Sequence, residues 1–184
     1  MANISWLNQF VQRIVGAAAL NPSTYEEVEA DPAATTDALV VVVLSSVAAG
    51  IGARGPGGGL SVEGVGLVSA AALLLWAAWA LLTCQIGVRV LPQRQTRSDV
   101  GELLRTLGFA TAPGMLRVLG VFPGVTVPVF ALTAVWTLAT TVVAVRQALD
   151  YDSTWRALLV CGIGWVLAVA VAALFGLVGA PPLS

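Results

Sequence analysis

The chain has neither lysine nor histidine, and its nine basic residues are all arginine. The absence of histidine removes the commonest proton shuttle and metal ligand of proteins. Cysteine is scarce as well: Cys84 and Cys161 lie far apart inside apolar segments, without a CxxC pair or any other metal-ligand spacing. We interpret both as small packing residues. The sequence therefore predicts neither a metal site nor a cofactor site.

Charge is scarce too. Charged residues make up 10% of the 184 residues, whereas soluble domains carry about 25%. Hydrophobic residues make up 58%, and the mean hydropathy is +0.88. A soluble domain of this size could not bury so much apolar surface, so we expect the chain to lie in a lipid bilayer. The net charge of −1 provides no field that would attract nucleic acid.

The sequence also lacks a pattern that resembles a nucleophile with its base or a phosphate-binding loop. Its glycine-rich segment, residues 55–59, has no lysine and no strand-to-helix context, and we interpret it as an exterior loop. We therefore predict no catalytic residues and a protein that is not an enzyme.

Five apolar segments follow one another after residue 33. About 20 apolar residues are needed to cross the hydrocarbon core of a bilayer. The third segment is the weakest, because it contains Arg105, Arg117 and the pair Pro113-Gly114. The pattern predicts an all-α, polytopic membrane protein whose five transmembrane helices fill a domain of residues 34–184. The segments are residues 36–53, 65–91, 100–121, 125–145 and 155–178.

Residues 1–33 form a separate N-terminal region, cytoplasmic or interfacial. Apolar residues recur at helical spacing over residues 3–20, which predicts an amphipathic helix. This helix either lies in the plane of the lipid headgroups or packs against the protein's own spans. Ser23 and Glu26 form a capping-box pattern, which predicts a second, short helix that ends before Asp31-Pro32.

Arginines in short loops mark the cytoplasmic side of a membrane protein. One side of the predicted bundle has Arg13, the loop between the second and third segments, and the edges of the loop between the fourth and fifth. The other side has Arg54 and Arg117. We therefore expect a protein of the cytoplasmic membrane with its N-terminus in the cytoplasm and its C-terminus outside.

The two arginine-rich loops fall on the same side and form a candidate surface for cytoplasmic partners or lipids. Each basic residue near an anionic membrane contributes about 1 kcal/mol of attraction. Alternatively, the arginines only set topology, and the i, i+4 pair Arg146–Asp150 and the aromatic Trp155 cap and anchor local helices. The candidate residues are Arg89, Arg94, Arg97, Arg105, Arg146, Asp150, Trp155 and Arg156.

Arg117 stands alone near the outer end of the third segment. A charge inside a span usually faces the bundle or a cavity, and Glu63 is the only acidic residue predicted on that side. We therefore hypothesise an outer Glu63–Arg117 ion pair. The alternative is that Arg117 extends to the outer headgroups.

Several stretches resemble a known family. Residues 20–28, LNPSTYEEV, resemble the entry of the first span in the prokaryotic branch of the Yip family, which are five-span membrane proteins named for Ypt/Rab-interacting relatives. Residues 104–113 resemble that family's third-span opening. The fourth-span exit and fifth-span entry resemble residues 136–149, Ser153 and Arg156-Ala157. The resemblance as a whole extends over nearly the whole chain.

The resemblance implies a non-enzymatic protein with a cytosolic N-terminus. Eukaryotic members act in vesicle traffic and membrane shaping through GTPase and partner binding. Their DLYGP motif is absent here, so the resemblance does not imply binding to a Rab-type GTPase.

From these observations we predict a non-catalytic integral membrane protein that acts through protein or lipid contacts, as a scaffold, membrane organiser or accessory subunit. Its partners would be membrane lipids and other membrane proteins or a second copy. The alternative is a small transporter or channel, which should show midplane polar residues and paired broken helices. The sequence offers Thr83, Gln85, Thr111 and Thr140, and only the third segment is broken.

Overall fold

The computed structural model describes residues 2–54, 62–87 and 100–174, and these ranges contain helices and turns without any strand. The prediction of an all-α fold is therefore confirmed. The elements are α1 (Ala2–Ala18), α2 (Pro22–Ala30), α3 (Ala34–Gly52), α4 (Val62–Gln85), α5 (Val100–Ala110), a 3-10 helix (Ala112–Val121), α6 (Thr126–Ala148) and α7 (Thr154–Leu174).

Three of these helices, α3, α4 and α6, have the length and apolar composition to cross a membrane. A shorter apolar stretch, Thr154–Gly164, occurs in α7. Large apolar side chains on α4 and α6, such as Leu74, Leu132 and Val135, are more than 60% exposed, as expected for helices that face lipid. The structure thus supports an integral membrane protein.

The third predicted span is not one helix. The helix α5 has 11 residues and the 3-10 helix has 10, and they meet at Thr111. Pro113 has no backbone N–H to donate, and its ring would clash with the carbonyl four residues earlier, so the α-helix ends before it. The buried end of α5 is capped by a neighbouring helix, because Thr140 Oγ1 on α6 donates a hydrogen bond of 2.7 Å to the Ala110 carbonyl.

Helix α3 lies at the centre of the bundle and packs against the 3-10 helix, α4 and α5. Two glycines allow the backbones to approach closely. A Cβ atom on Gly52 would overlap the Arg117 carbonyl of the 3-10 helix, and one on Gly108 would lie 2.8 Å from Ala38 Cβ. Together α5 and the 3-10 helix therefore follow α3 over most of its length.

The N-terminal helices α1 and α2 form a hairpin, which we call the N-terminal hairpin (residues 2–30). Leu20 has a positive φ of 62°, and Asn21 N–H bonds to the Gly16 carbonyl, which closes α1 in a left-handed turn. Asn21 caps α2 by accepting a hydrogen bond from the Ser23 amide, so α2 begins at Pro22. The capping-box prediction placed this cap at Ser23, two residues too late.

The most deeply buried part of the described chain lies where this hairpin meets α5 and the end of α6. Its largest side chains with almost no exposure are Tyr25, Phe109, Leu103, Leu107 and Leu149. Tyr25 also donates a hydrogen bond of 3.0 Å to the Ala17 carbonyl across the hairpin. The hairpin is therefore an integral part of the core, and it positions the polar groups described next.

Candidate functional site

Arg13 on α1 binds three carboxylates, one on α2, one in the turn after α2 and one on α3. Its Nε lies 3.0 Å from Glu27 Oε1 and its Nη2 lies 2.7 Å from Asp31 Oδ2. Its Nη1 lies 3.8 Å from Asp37 Oδ2 on α3. The side chain is only 5% exposed. Trp6 joins the same group, because its Nε1 donates a hydrogen bond of 3.1 Å to Asp37 Oδ1. We call these five residues the Arg13 cluster.

The sequence interpretation used Arg13 only as a marker of the cytoplasmic side and did not predict the Arg13 cluster. A signal was present, since five of the chain's ten acidic residues lie between residues 26 and 37. The hydrogen bond from Arg13 holds the pKa of Asp31 below its ordinary value, against a smaller opposing effect of burial. The cluster ties α1, α2 and α3 together electrostatically.

The opposite side of α2 is held by α5 and α6. Arg105 Nη2 donates a hydrogen bond of 2.6 Å to the Glu29 carbonyl at the end of α2, and Gln147 Nε2 on α6 donates one of 2.8 Å to Glu26 Oε1. Arg105 is only 8% exposed. This member of the predicted arginine surface therefore lies inside, where it satisfies a carbonyl that the helix end leaves free.

Glu29 lies beside several other carboxyl groups. Burial raises its pKa to about 7, and the negative charges of Asp150 and Glu102 add to that rise, while Arg105 opposes it. The side chain is partly buried between α2, α5 and the turn that follows α6. Glu29 therefore changes its charge near neutral pH.

The turn between α6 and α7 carries most of the remaining predicted site residues. The helix ends at Ala148, and Asp150 takes a left-handed conformation with φ 50°. Arg146 therefore turns to the loop: its Nε donates to the Tyr151 carbonyl at 3.3 Å and its Nη1 to Thr154 Oγ1 at 3.4 Å. The continuous helix that an i, i+4 Arg146–Asp150 pair requires is not formed.

A shallow cavity of about 550 Å³ opens at this turn, lined by Arg146, Gln147, Asp150, Tyr151 and Asp152. Tyr151 fixes its floor by donating a hydrogen bond of 3.2 Å to the Gly87 carbonyl beyond the end of α4. Burial raises the pKa of this tyrosine, so it stays protonated as a donor at neutral pH. The cavity is polar and open, and it lies beside the Gln147–Glu26 contact with α2.

Trp155 and Arg156 lie in the first turn of α7, next to this cavity, and both are exposed, Trp155 by 67%. We call the exposed groups of this region the α2/α7 surface, comprising Glu26, Arg146, Gln147, Asp150, Asp152, Trp155 and Arg156. The structure thus brings Arg146, Asp150, Trp155 and Arg156 together, with Arg105 beneath them. Arg89, Arg94 and Arg97 lie outside the described residues.

Arg117 lies at the opposite end of the bundle and is half-buried. Its Nε donates a hydrogen bond of 3.3 Å to Thr133 Oγ1 on α6, and its guanidinium carbon lies 5.8 Å from the centre of the Phe130 ring. Glu63 is exposed at the start of α4. Among the described ion pairs none joins these two residues, and the Glu63–Arg117 pair stays a prediction.

No group of three histidine, cysteine, aspartate or glutamate side chains within residues 2–54, 62–87 and 100–174 has the geometry to hold a metal ion. The arrangement at the α2/α7 surface offers hydrogen-bond donors, acceptors and an exposed aromatic ring. These are groups suited to recognition of another surface.

A family model described as Yip1 domain matches residues 17–175. The chain belongs to the Yip1 domain family. No curated protein and no solved structure matches it. The match confirms the resemblance to the Yip family that residues 20–28, 104–113 and 136–149 indicated. All residues of the α2/α7 surface lie inside the Yip1 domain, whereas Trp6 and Arg13 precede the matched region.

Proposed function

We propose that this Yip1 domain protein acts without catalysis, through contacts that its α2/α7 surface makes with other membrane proteins, as a scaffold, membrane organiser or accessory subunit. The main support for this proposal is that hydrogen bonds hold the α2/α7 surface in a fixed arrangement. Arg105 and Gln147 both bind α2, and Tyr151 binds the backbone just after α4, so that α2, the end of α4 and the α6–α7 turn are held in one arrangement. A preordered surface loses little conformational entropy when a partner binds.

We further propose five membrane crossings, made by α3, α4, the pair of α5 with the 3-10 helix, α6 and α7. By their rises per residue, α5 and the 3-10 helix together are about 36 Å long and the 21 residues of α7 about 31 Å. Both lengths match a hydrocarbon core of about 30 Å. With the arginine bias of the loops, this arrangement puts the N-terminus and the α2/α7 surface in the cytoplasm.

The test uses an exposed aromatic residue at each end of the bundle. Trp155→Ala removes a 67% exposed ring from the α2/α7 surface, and Phe122→Ala removes a 57% exposed ring from the other end. The protein is purified in mild detergent, and stoichiometric partners are identified by mass spectrometry. A partner that is retained by Phe122→Ala and lost by Trp155→Ala supports the proposal. Equal retention by both variants contradicts it.

A small transporter or channel remains the second candidate, because a half-buried arginine lies beside a broken segment. Charged residues at such positions commonly mark transport pathways. In this chain Arg117 follows the break at Thr111 by six positions. Purified protein in liposomes, assayed for ion flux, separates the two functions. Ion flux that the substitution Arg117→Met abolishes would favour transport. Liposomes that contain the protein and show no ion flux would favour the contact function.

A further inference from the structure

The N-terminal hairpin reaches deep into the bundle. Near its beginning, Trp6 and Arg13 both bind Asp37, the fourth residue of α3. At its far end, the Ala18 carbonyl accepts a hydrogen bond of 2.7 Å from Trp136 Nε1. Trp136 is the eleventh of the 23 residues of α6. The turn of the hairpin is therefore level with the middle of a helix that is long enough to cross the membrane.

The length of α1 agrees with this placement. From Trp6 to Ala18 the helix rises by about 18 Å, and from Trp136 to the end of α6 at Ala148 the distance along that helix is also about 18 Å. Helix α1 additionally packs against the 3-10 helix, which forms the outer part of the broken third segment. A helix lying flat in the headgroup plane could not make these contacts.

Backbone groups at the turn of the hairpin form hydrogen bonds within the protein, as an apolar environment requires. Leu20 and Asn21 donate to carbonyls of α1, Tyr25 donates to the Ala17 carbonyl, and Trp136 satisfies that of Ala18. In lipid, where water is absent, backbone N–H and C=O groups must form hydrogen bonds within the protein. This requirement restricts which chain segments can enter lipid. Arg13 is paired with Glu27 of the hairpin and with Asp31 and Asp37, which follow it in the chain.

One stripe of α1 has no cover within the described chain. Leu7, Val11 and Val15 follow one another at intervals of four and are 51%, 48% and 60% exposed. Asn8 and Gln12 are also exposed and border this stripe, whereas the exposed Gln9 lies on the opposite side of the helix. The stripe begins at the level of Asp37 and continues towards the hairpin turn, alongside helices whose own exposed side chains face lipid.

We propose that the N-terminal hairpin is a re-entrant element of the cytoplasmic leaflet, and that the stripe of Leu7, Val11 and Val15 contacts phospholipid acyl chains. This inference rests on the membrane placement proposed above. The stripe has the chemistry of an acyl-chain surface, because it is apolar, continuous and without a charged group. The side of α1 that carries Gln9 faces the headgroups and water.

The test places a fluorescent label on single cysteines in a Cys84→Ala, Cys161→Ala background, in vesicles of phosphatidylcholine and phosphatidylglycerol. Labels are attached at Val15→Cys, at Gln9→Cys as the control on the opposite, polar side of α1, and at Leu132→Cys as a reference on α6. Each sample is quenched by a nitroxide in the middle of the acyl chain, by a headgroup nitroxide and by aqueous iodide.

We expect the acyl-chain nitroxide to quench the label at Val15→Cys more than the headgroup nitroxide does. We expect iodide to quench the label at Gln9→Cys more than the label at Val15→Cys. If iodide quenches the label at Val15→Cys while the acyl-chain nitroxide still quenches the label at Leu132→Cys, the placement of the hairpin is overturned and that of α6 is kept. Loss of chain quenching at Leu132→Cys as well would overturn the membrane placement of α6. If the cysteine-free protein misfolds, a photoactivatable diazirine residue is introduced instead at position 15 of the chain that keeps both cysteines. We expect it to cross-link to lipid. Reaction of the diazirine with water alone would refute the proposal.

Discussion

Trp136 on α6 donates a hydrogen bond from its indole Nε1 to the carbonyl of Ala18, 2.7 Å away in space and 118 positions earlier in the chain. The contact joins the C-terminal end of α1 to the middle of α6. Helix ends leave carbonyls without partners, and in an apolar region each one must be satisfied by a side chain. This bond is therefore one of the contacts that position the N-terminal hairpin in the bundle, together with those to Asp37, Arg105 and Gln147.

Replacing Trp136 by Phe should keep most of the ring packing and remove this bond. The Ala18 carbonyl would be left buried without a donor, which costs about 1–3 kcal/mol. We expect a lower melting temperature in detergent and faster proteolysis of α1. Trp155→Phe, at an exposed position without this role, should leave both unchanged. Equal melting temperatures for the two variants would show that the bond does not hold the hairpin.

The pH dependence of the protein's stability should reveal the ionisation of Glu29. Its pKa is raised to about 7, mainly by burial, whereas the pKa of an unfolded glutamate is about 4.3. Because the pKa of Glu29 is higher in the folded than in the unfolded protein, the folded state binds the proton more tightly. The stability that this proton provides is complete below the unfolded pKa and is lost as the pH rises through about 7. Glu29→Gln should therefore raise the melting temperature at pH 8 and have little effect at pH 4.

Glu63→Gln is the control for this measurement, since Glu63 is exposed at the other end of the bundle. It should leave the melting temperature unchanged at both pH values. The hydrogen bond of Arg105 goes to the Glu29 backbone and is kept in Glu29→Gln. A pH-independent effect of Glu29→Gln would mean that burial does not govern this carboxyl group.

Two substitutions distinguish the possible partners of Arg117. In the structure its Nε bonds to Thr133 Oγ1, so Thr133→Val should remove that acceptor and destabilise the protein by about 1 kcal/mol or more. Glu63→Gln should leave the melting temperature unchanged. The reverse pattern, with a loss for Glu63→Gln and none for Thr133→Val, would favour the outer ion pair instead.

The sequence predicted the helical class and the weak point of the third segment for a local reason. Pro113 removes a backbone donor wherever it stands, so the end of α5 at Ala110 follows from a few neighbouring residues. The Arg13 cluster and the burial of Arg105 depend on contacts between distant segments. An arginine that faces headgroups and one that caps a buried helix end give the same sequence pattern, and only the packing of α2 against α5 separates them.

The close approach of α3 to the 3-10 helix gives a sharp test of how the broken segment is held. A Cβ on Gly52 would overlap the Arg117 carbonyl and lie 3.2 Å from Phe130 Cε2. Because both obstacles belong to packed elements, Gly52→Ala should force the helices apart and cost about 1–3 kcal/mol. Gly66→Ala on α4 is the matched control, since a Cβ there meets no atom within 4 Å among the described residues. It should stabilise the helix by about 0.4–1 kcal/mol. Thermal unfolding in detergent measures both, and a Gly52→Ala protein as stable as wild type would mean that the 3-10 helix is free to shift away from α3.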